Sequence, residues 1–182
     1  MVFPYIIVPL SLGAEKSVHA VDHALGNHRL VMLVTQNDPS LDEPTPESLF
    51  KTGTVAMIMR MLKLPDGRIR ILVQGLARAK LEKMTRTEPF LQARIRRVSS
   101  KGPAKQKRKA DALKVEALMR SVKEGLEQAV HLGRNLSPEV MVVAANLDDP
   151  GRLADLVASN LELGIGESTT SMDVSHFGFF MP

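Results

Sequence analysis

The sequence predicts an α+β protein, with a small, curled, mostly antiparallel sheet or pseudo-barrel first and an α-helical bundle after it. Three observations carry that expectation. Between Gly53 and Glu82, two alternating runs flank Leu64-Pro65-Asp66-Gly67, where Pro fixes φ at one turn position and Gly permits a positive φ at another; this is a hairpin. From Ser99 to Lys109 the stretch SSKGPAKQKRK holds five basic residues and nothing apolar larger than Ala104, so it reads as a linker. Beyond it the apolar residues recur at helical spacing.

The elements follow in chain order. Phe3 to Leu12 is extended but punctuated by Pro4 and Pro9, which suits an edge or irregular strand. Gly13 opens a helix with Val18, Val21 and Leu25 on one stripe, closed by Gly26. Leu30 to Thr35 is continuously apolar, as in a strand buried on both faces. Asn37-Asp38-Pro39-Ser40 is a turn, and Thr45-Pro46 begins a short helix through Phe50. The hairpin comes next, with Gly75 marking a bulge or corner, and Phe90 to Val98 adds a further strand. In the second half, Val115, Leu118, Val122, Leu126, Ala129 and Val130 form one stripe ending at Gly133. Ser137-Pro138 starts a second helix to about Leu147, and Asp149-Pro150 a third, with Leu153, Leu156, Val157 and Leu161 facing a partner. The resulting division is a β-rich domain over 1–98, a basic linker over 99–109, a helical subdomain over 110–163 and a disordered tail over 164–182. The tail reads as coil from Gly166 to Ser171, yet Phe177, Phe179 and Phe180 are half of the six Phe in the chain.

Composition narrows the chemistry. An apolar content of 44% and a charged content of 24% are ordinary for a globular protein, and 182 residues bury roughly two-thirds of their unfolded surface. The chain has no Cys, which removes disulfides, thiolate metal sites and a Cys nucleophile and fits a cytoplasmic protein. Tyr5 to Leu10, the apolar run near the start, is interrupted by Pro9 and too short to span a bilayer, so no membrane partner is expected. The net charge of +4 is unevenly placed, with fourteen Lys or Arg against Glu82 and Glu88 between Arg68 and Lys109. That block either forms the solvated face of strands, as Arg94 and Arg96 beside Ala93 and Ile95 suggest, or attracts nucleic acid or polyphosphate. Lys105, Lys107, Arg108 and Lys109 are the candidate polyanion contacts.

Several weak motifs stand in one order along the chain. Val2-Phe3-Pro4 is followed by Val8-Pro9-Leu10, Glu15-Lys16-Ser17, Gln36-Asn37-Asp38-Pro39 and Pro44-Thr45-Pro46-Glu47-Ser48-Leu49. Gly53-Thr54-Val55-Ala56, the Leu-Pro-Asp-Gly turn and Val73-Gln74-Gly75-Leu76-Ala77-Arg78-Ala79 come next, with Asp149-Pro150 and Leu153-Ala154-Asp155 far downstream. Over about residues 2 to 163 this series resembles the amino-terminal domain of Lon-type ATP-dependent proteases. The resemblance implies a PUA-like pseudo-barrel followed by helices, and a non-catalytic role in recognising unfolded or tagged protein substrates and supporting homo-oligomer assembly, with the remainder of the protease as partner. The chain departs from the family pattern at both ends, where a preceding strand and a following long helix are expected, and in the basic character of Lys101 to Lys109. A fragment or a shifted reading frame near Gly166 would account for the ends. Other readings are a stand-alone Lon-like adaptor and a PUA-like nucleic-acid or polyanion module.

No Gly-x-x-x-x-Gly-Lys-Ser/Thr loop is present to cradle phosphates, and no Ser has a Lys in matching context, so no catalytic residue and no cofactor is expected. His19 and His23 stand four apart, with Asp22 and His28 near, but without a further ligand cluster they read as a solvated helix face, not a metal site. Met57, Met59 and Met61 alternate on one hairpin strand. As an exposed row they suit contact with varied apolar segments; as core they fill irregular space, and Arg60 on the opposite side argues that the opposite side meets solvent.

Overall fold

The computed structural model describes residues 2–37, 45–65, 68–98, 109–132, 136–160 and 177–180. The chain divides into two compact units, one of residues 1–99 with 163–182 and one of residues 100–162.

The β unit holds β1 (Ile7–Leu12), α1 (Glu15–Leu25), β2 (Leu30–Thr35), a single 3₁₀ turn (Pro46–Ser48), β3 (Thr52–Lys63), β4 (Ile69–Arg86), β5 (Gln92–Arg97) and β6 (Phe177–Phe180). All pairings are antiparallel, in the order β1-β4-β3-β2-β6, and β5 pairs with the far half of β4. The continuous apolar run of β2 explains its place: Val31, Met32, Leu33 and Val34 are all buried, so both of its faces need cover. Val31 and Leu33 join a cluster with Leu10, Leu12, Val21, Ile58, Ile71 and Val73, covered by α1 through Ala20 and Ala24. Met32 and Val34 join a second cluster with Leu49, Ala79, Leu91 and Ala93. The sheet therefore curls until β5 and the far half of β4 cover the second face of β2.

Two bulges make that possible. On β4, Gly75 faces Ala56 but Ala77 faces Val55, leaving Leu76 extra, so Gly75 does mark a bulge. The bulge moves the odd-numbered residues of β4 from one face of the sheet to the other. Ile69, Ile71 and Val73 enter the first cluster, whereas Ala79 and Leu81 enter the second. On β3, Ile58 faces Val73 but Arg60 faces Leu72, leaving Met59 extra. Gly75 is also where the opening segment crosses the sheet. Its N–H donates to the Ile6 carbonyl at 2.9 Å and its carbonyl accepts from the Tyr5 N–H at 2.8 Å. A Cβ at Gly75 would overlap the Phe3 carbonyl oxygen, and one at Gly53 would overlap that of Leu33. Tyr5 takes a left-handed φ of 69° at this crossing, and Thr54 Oγ1 donates to the Val2 carbonyl at 2.6 Å.

Several expectations shift in detail. Phe3 to Leu12 is not one strand, since pairing with β4 begins at Ile7. Gly26 ends α1 with an ordinary right-handed φ of −74°, and the left-handed residue is Arg29 at 57°, whose N–H returns to the Ala24 carbonyl at 2.8 Å. The turn at 38–40 lies outside the described residues. The short helix is a 3₁₀ turn in which Ser48 Oγ accepts from the Thr45 N–H at 3.0 Å. The expectation of a disordered tail does not hold for Phe177–Phe180, which pair with Met32–Thr35 as β6. Local periodicity is silent about a partner so distant in sequence.

The helical unit holds α2 (Lys109–His131), α3 (Pro138–Ala145) and α4 (Pro150–Asn160). Leu126, Ala144 and Leu153 form its core, with Met119, Leu136, Met141, Leu147, Leu156 and Val157 packed around them. The expected α2 stripe is corrected at two positions: Leu118 and Val122 are exposed, and Met119 takes the inward place. Met119, seven before the buried Leu126, lies nearer its face than Leu118, eight before it, does. Lys123 caps the end of α3, donating through Nζ to the Ala145 and Leu147 carbonyls at 3.0 Å each. Asp149 Oδ1 accepts from the Arg152 N–H at 2.8 Å at the start of α4. A hydrogen bond from Ser137 and a backbone N–H hold the Glu139 carboxyl below the ordinary carboxylate range.

Gly75→Ala should destabilise the chain by about 1–3 kcal/mol, because a backbone oxygen cannot yield as a side-chain tip can. Gly13→Ala, where a Cβ meets nothing within 4 Å, should leave stability nearly unchanged in the same denaturant titration. Lys123→Met should cost about 1 kcal/mol through the two carbonyls it uncaps, with an intact β-sheet signal by circular dichroism.

Candidate functional site

The registers place three strands side by side, and directly opposed residues share a face. Ile7, Gln74 and Met57 lie in one row across β1, β4 and β3. Pro9, Leu72 and Arg60 form the next, and Ser11, Arg70 and Leu62 the third. The residues between these rows, among them Leu10, Ile71, Val73 and Ile58, point into the first core. The nine therefore make up the outer face of the sheet. Ile7 is 49% exposed and Leu62 54%, Pro9 is exposed, and Leu72 and Met57 are half-buried. The bulged Met59, 43% exposed, stands beside them on β3. Arg60 and Arg70 are exposed on the outer face, and none of the nine is an acid.

The three methionines do not form a row. Met57 belongs to the outer face, Met59 is the exposed bulge residue, and Met61 packs against the first core beside Ile58. The bulge reverses the inward parity of β3 between Ile58 and Met61. One signal of this stands in the sequence: without a parity break, Arg60 would share a buried face with Ala56 and Ile58, which an unpaired charge does not do. Ile7, Pro9, Leu62 and Leu72 were missed because only the register brings them together. Leu72, between Arg70 and Gln74 and opposite in phase to Ile71 and Val73, was the readable hint.

A second surface lies on the β4–β5 ribbon. Lys80 stands opposite Arg96, and Lys83 opposite Arg94, with all four exposed. Like charges directly opposed across a ladder are unfavourable, and Glu82 offsets one of them through a 2.9 Å contact with Arg96 Nε. Arg94 and Arg96 are exposed while Ala93 is buried and Ile95 half-buried, as a solvated strand face requires. Arg78 lies over the Phe3 ring with its guanidinium carbon 5.9 Å from the centroid, and Lys16 pairs with Glu88 at 2.8 Å. Lys105, Lys107 and Arg108 fall outside the described residues, and Lys109 is the first residue of α2.

On α1, His23 packs its ring against Phe90 at 5.0 Å and His19 lies 3.6 Å from Glu15. Among the described residues no group of three His, Cys, Asp or Glu is placed to hold a metal ion, and no helix is long and apolar enough to cross a membrane.

The chain matches the family described as the ATP-dependent protease La (LON) substrate-binding domain over residues 1–168. It is 47% identical over 174 residues to the Lon protease of Trichlorobacter lovleyi, covering 96% of this chain and 21% of that protein. Against the Lon protease of Geobacter metallireducens the identity is 46% over 174 residues, covering 96% and 20%. The fold is similar to the N-terminal domain of the Mycobacterium avium complex Lon protease, with a TM-score of 0.67 at 20% identity over 96% of this chain and 87% of that one. The chain spans about a fifth of the length of the curated relatives it matches, and the family description is that of the substrate-binding part, not of an ATPase or protease module. The motif series, the antiparallel sheet with its helices and these matches agree: the chain belongs to the Lon substrate-binding domain family.

Proposed function

We propose that this chain is the non-catalytic recognition part of a cytoplasmic Lon-type protease, holding unfolded or tagged proteins for degradation. In this reading the ATPase and the protease activity belong to other modules of such an enzyme, and the domain supports homo-oligomer assembly. The observation that carries the reading is the outer face of β1, β4 and β3. It carries five apolar residues, Ile7, Met57, Pro9, Leu72 and Leu62, among polar ones, on strands whose opposite face is anchored in the core. A face of this kind favours chains that expose apolar residues and discriminates little among their sequences. Arg60 and Arg70 add attraction for acidic groups beside the bound segment. Single-domain affinity should be about micromolar or weaker, because ordering the bound chain offsets much of the gain. Oligomer avidity would compensate.

The ribbon supports a second reading, in which nucleic acid or polyphosphate binds there. An anion between Lys80 and Arg96, or between Lys83 and Arg94, would relieve the cross-strand repulsion.

The test of the first reading is binding to a permanently unfolded protein and to the same protein folded. The unfolded form should bind better. Ile7→Ser, Leu62→Ser and Leu72→Ser together should weaken it at least tenfold with little change in melting temperature. Met61→Ser should instead lower stability, by about 1–3 kcal/mol, because it opens space against the core. Equal binding by the triple variant would remove the outer face as the site. For the second reading, polyanion affinity should fall steeply as salt rises. Lys80→Gln, Lys83→Gln and Arg94→Gln should weaken it whatever the nucleic-acid sequence, and no binding at low salt would retire the reading.

A further inference from the structure

β2 is buried on both faces, so it needs a hydrogen-bonded neighbour along each edge. β3 supplies one, opposite Leu30–Leu33. Along the other edge, Met32, Leu33, Val34 and Thr35 face Phe180, Phe179, Gly178 and Phe177 of β6. That neighbour is four residues long, and it returns to the β unit only after the whole helical unit has intervened. Among the described residues β6 is the last strand on the sheet path, paired with β2 alone in the sheet and lying against α1. Its sequence, Phe-Gly-Phe-Phe, has the composition of an apolar segment of an unfolded protein.

We propose that the outer edge of β2 is a strand-acceptor site and that Phe177–Phe180 is its tethered occupant, exchangeable for an extended apolar segment of an unfolded polypeptide. The main-chain ladder supplies the binding and excludes Pro, and the apolar residues on both faces of β2 beside it favour an apolar segment. β6 belongs to the same chain and pairs intramolecularly, so a free segment competes poorly until β6 leaves. The inference rests on the proposed function only for the source of the incoming strand. The outer face of β1, β4 and β3 is a separate surface.

The chain has no Cys, so Thr35→Cys with Phe177→Cys puts a single thiol pair at directly opposed positions. Oxidation by diamide, which takes up the two thiol hydrogens as the S–S bond forms, should close the pair within one molecule. The probe is a dye-labelled peptide of the sequence Ser175–Pro182. It should bind the reduced variant at least tenfold better than the closed one. In the otherwise native chain, Gly178→Pro with Phe179→Pro should free the edge and bind it at least tenfold tighter than the native chain does. Equal binding by closed, reduced and opened forms would overturn the proposal, as would a disulfide formed only between two molecules. If the opened variant loses its circular dichroism, the closed and reduced forms decide alone. Unfolded-protein binding that survives closure but is lost in the Ile7, Leu62, Leu72 variant would retire strand exchange as the substrate route while leaving the proposed function standing.

Discussion

At Gly75 the backbone of the opening segment lies on the backbone of the longest strand, too close for any side chain to fit between them. Most of the β unit depends on that approach. The paired hydrogen bonds to Tyr5 and Ile6 seat β1 in register with β4, and the bulge immediately after Gly75 turns β4 from one core to the other. A single alternating strand can then line two cores. Without the turn, Ala79 and Leu81 would extend the first core and leave the second face of β2 uncovered.

The same device produces the outer face. The Met59 bulge restores inward parity for Met61 after Ile58, and it leaves Met59 and Arg60 in solvent. Ile7, Pro9, Leu72, Met57 and Leu62 share a surface because two registers, not one periodic run, align them. The chain's place in the Lon substrate-binding family gives that surface a context, and the solvent exposure of its apolar residues gives it a physical reason to bind chain that exposes apolar groups itself.

Much of the fold was legible in local pattern. The β3–β4 hairpin, the doubly buried Leu30–Thr35 strand, the bulge at Gly75 and the starts of α3 and α4 all follow from residue type at short range, while Asp66 and Gly67 of the turn itself lie outside the described residues. What was not legible came from long-range register. The three methionines are divided between two faces because one extra residue on β3 inverts parity, and nothing local fixes which residue is extra. Leu118 and Val122 fit the α2 stripe as well as Met119 does until α3 and α4 choose a side. The reversal at Arg29 in place of Gly26 was hidden because a carbonyl at Ala24, reached by both Asn27 and Arg29, supports a longer exit from α1 than glycine alone would suggest. The pairing of Phe177–Phe180 with β2 has no local trace at all.

The central claim, that apolar segments are held on the outer face of β1, β4 and β3, is tested most directly by methyl-resolved NMR of the chain during titration with a permanently unfolded protein. The methyl groups of Ile7, Met57, Met59, Leu62 and Leu72 should shift together and saturably, while Met61, Ile71 and Val73 beneath them move little. Shifts confined to the helical unit or to the β4–β5 ribbon, with the outer-face methyls unmoved, would contradict the account.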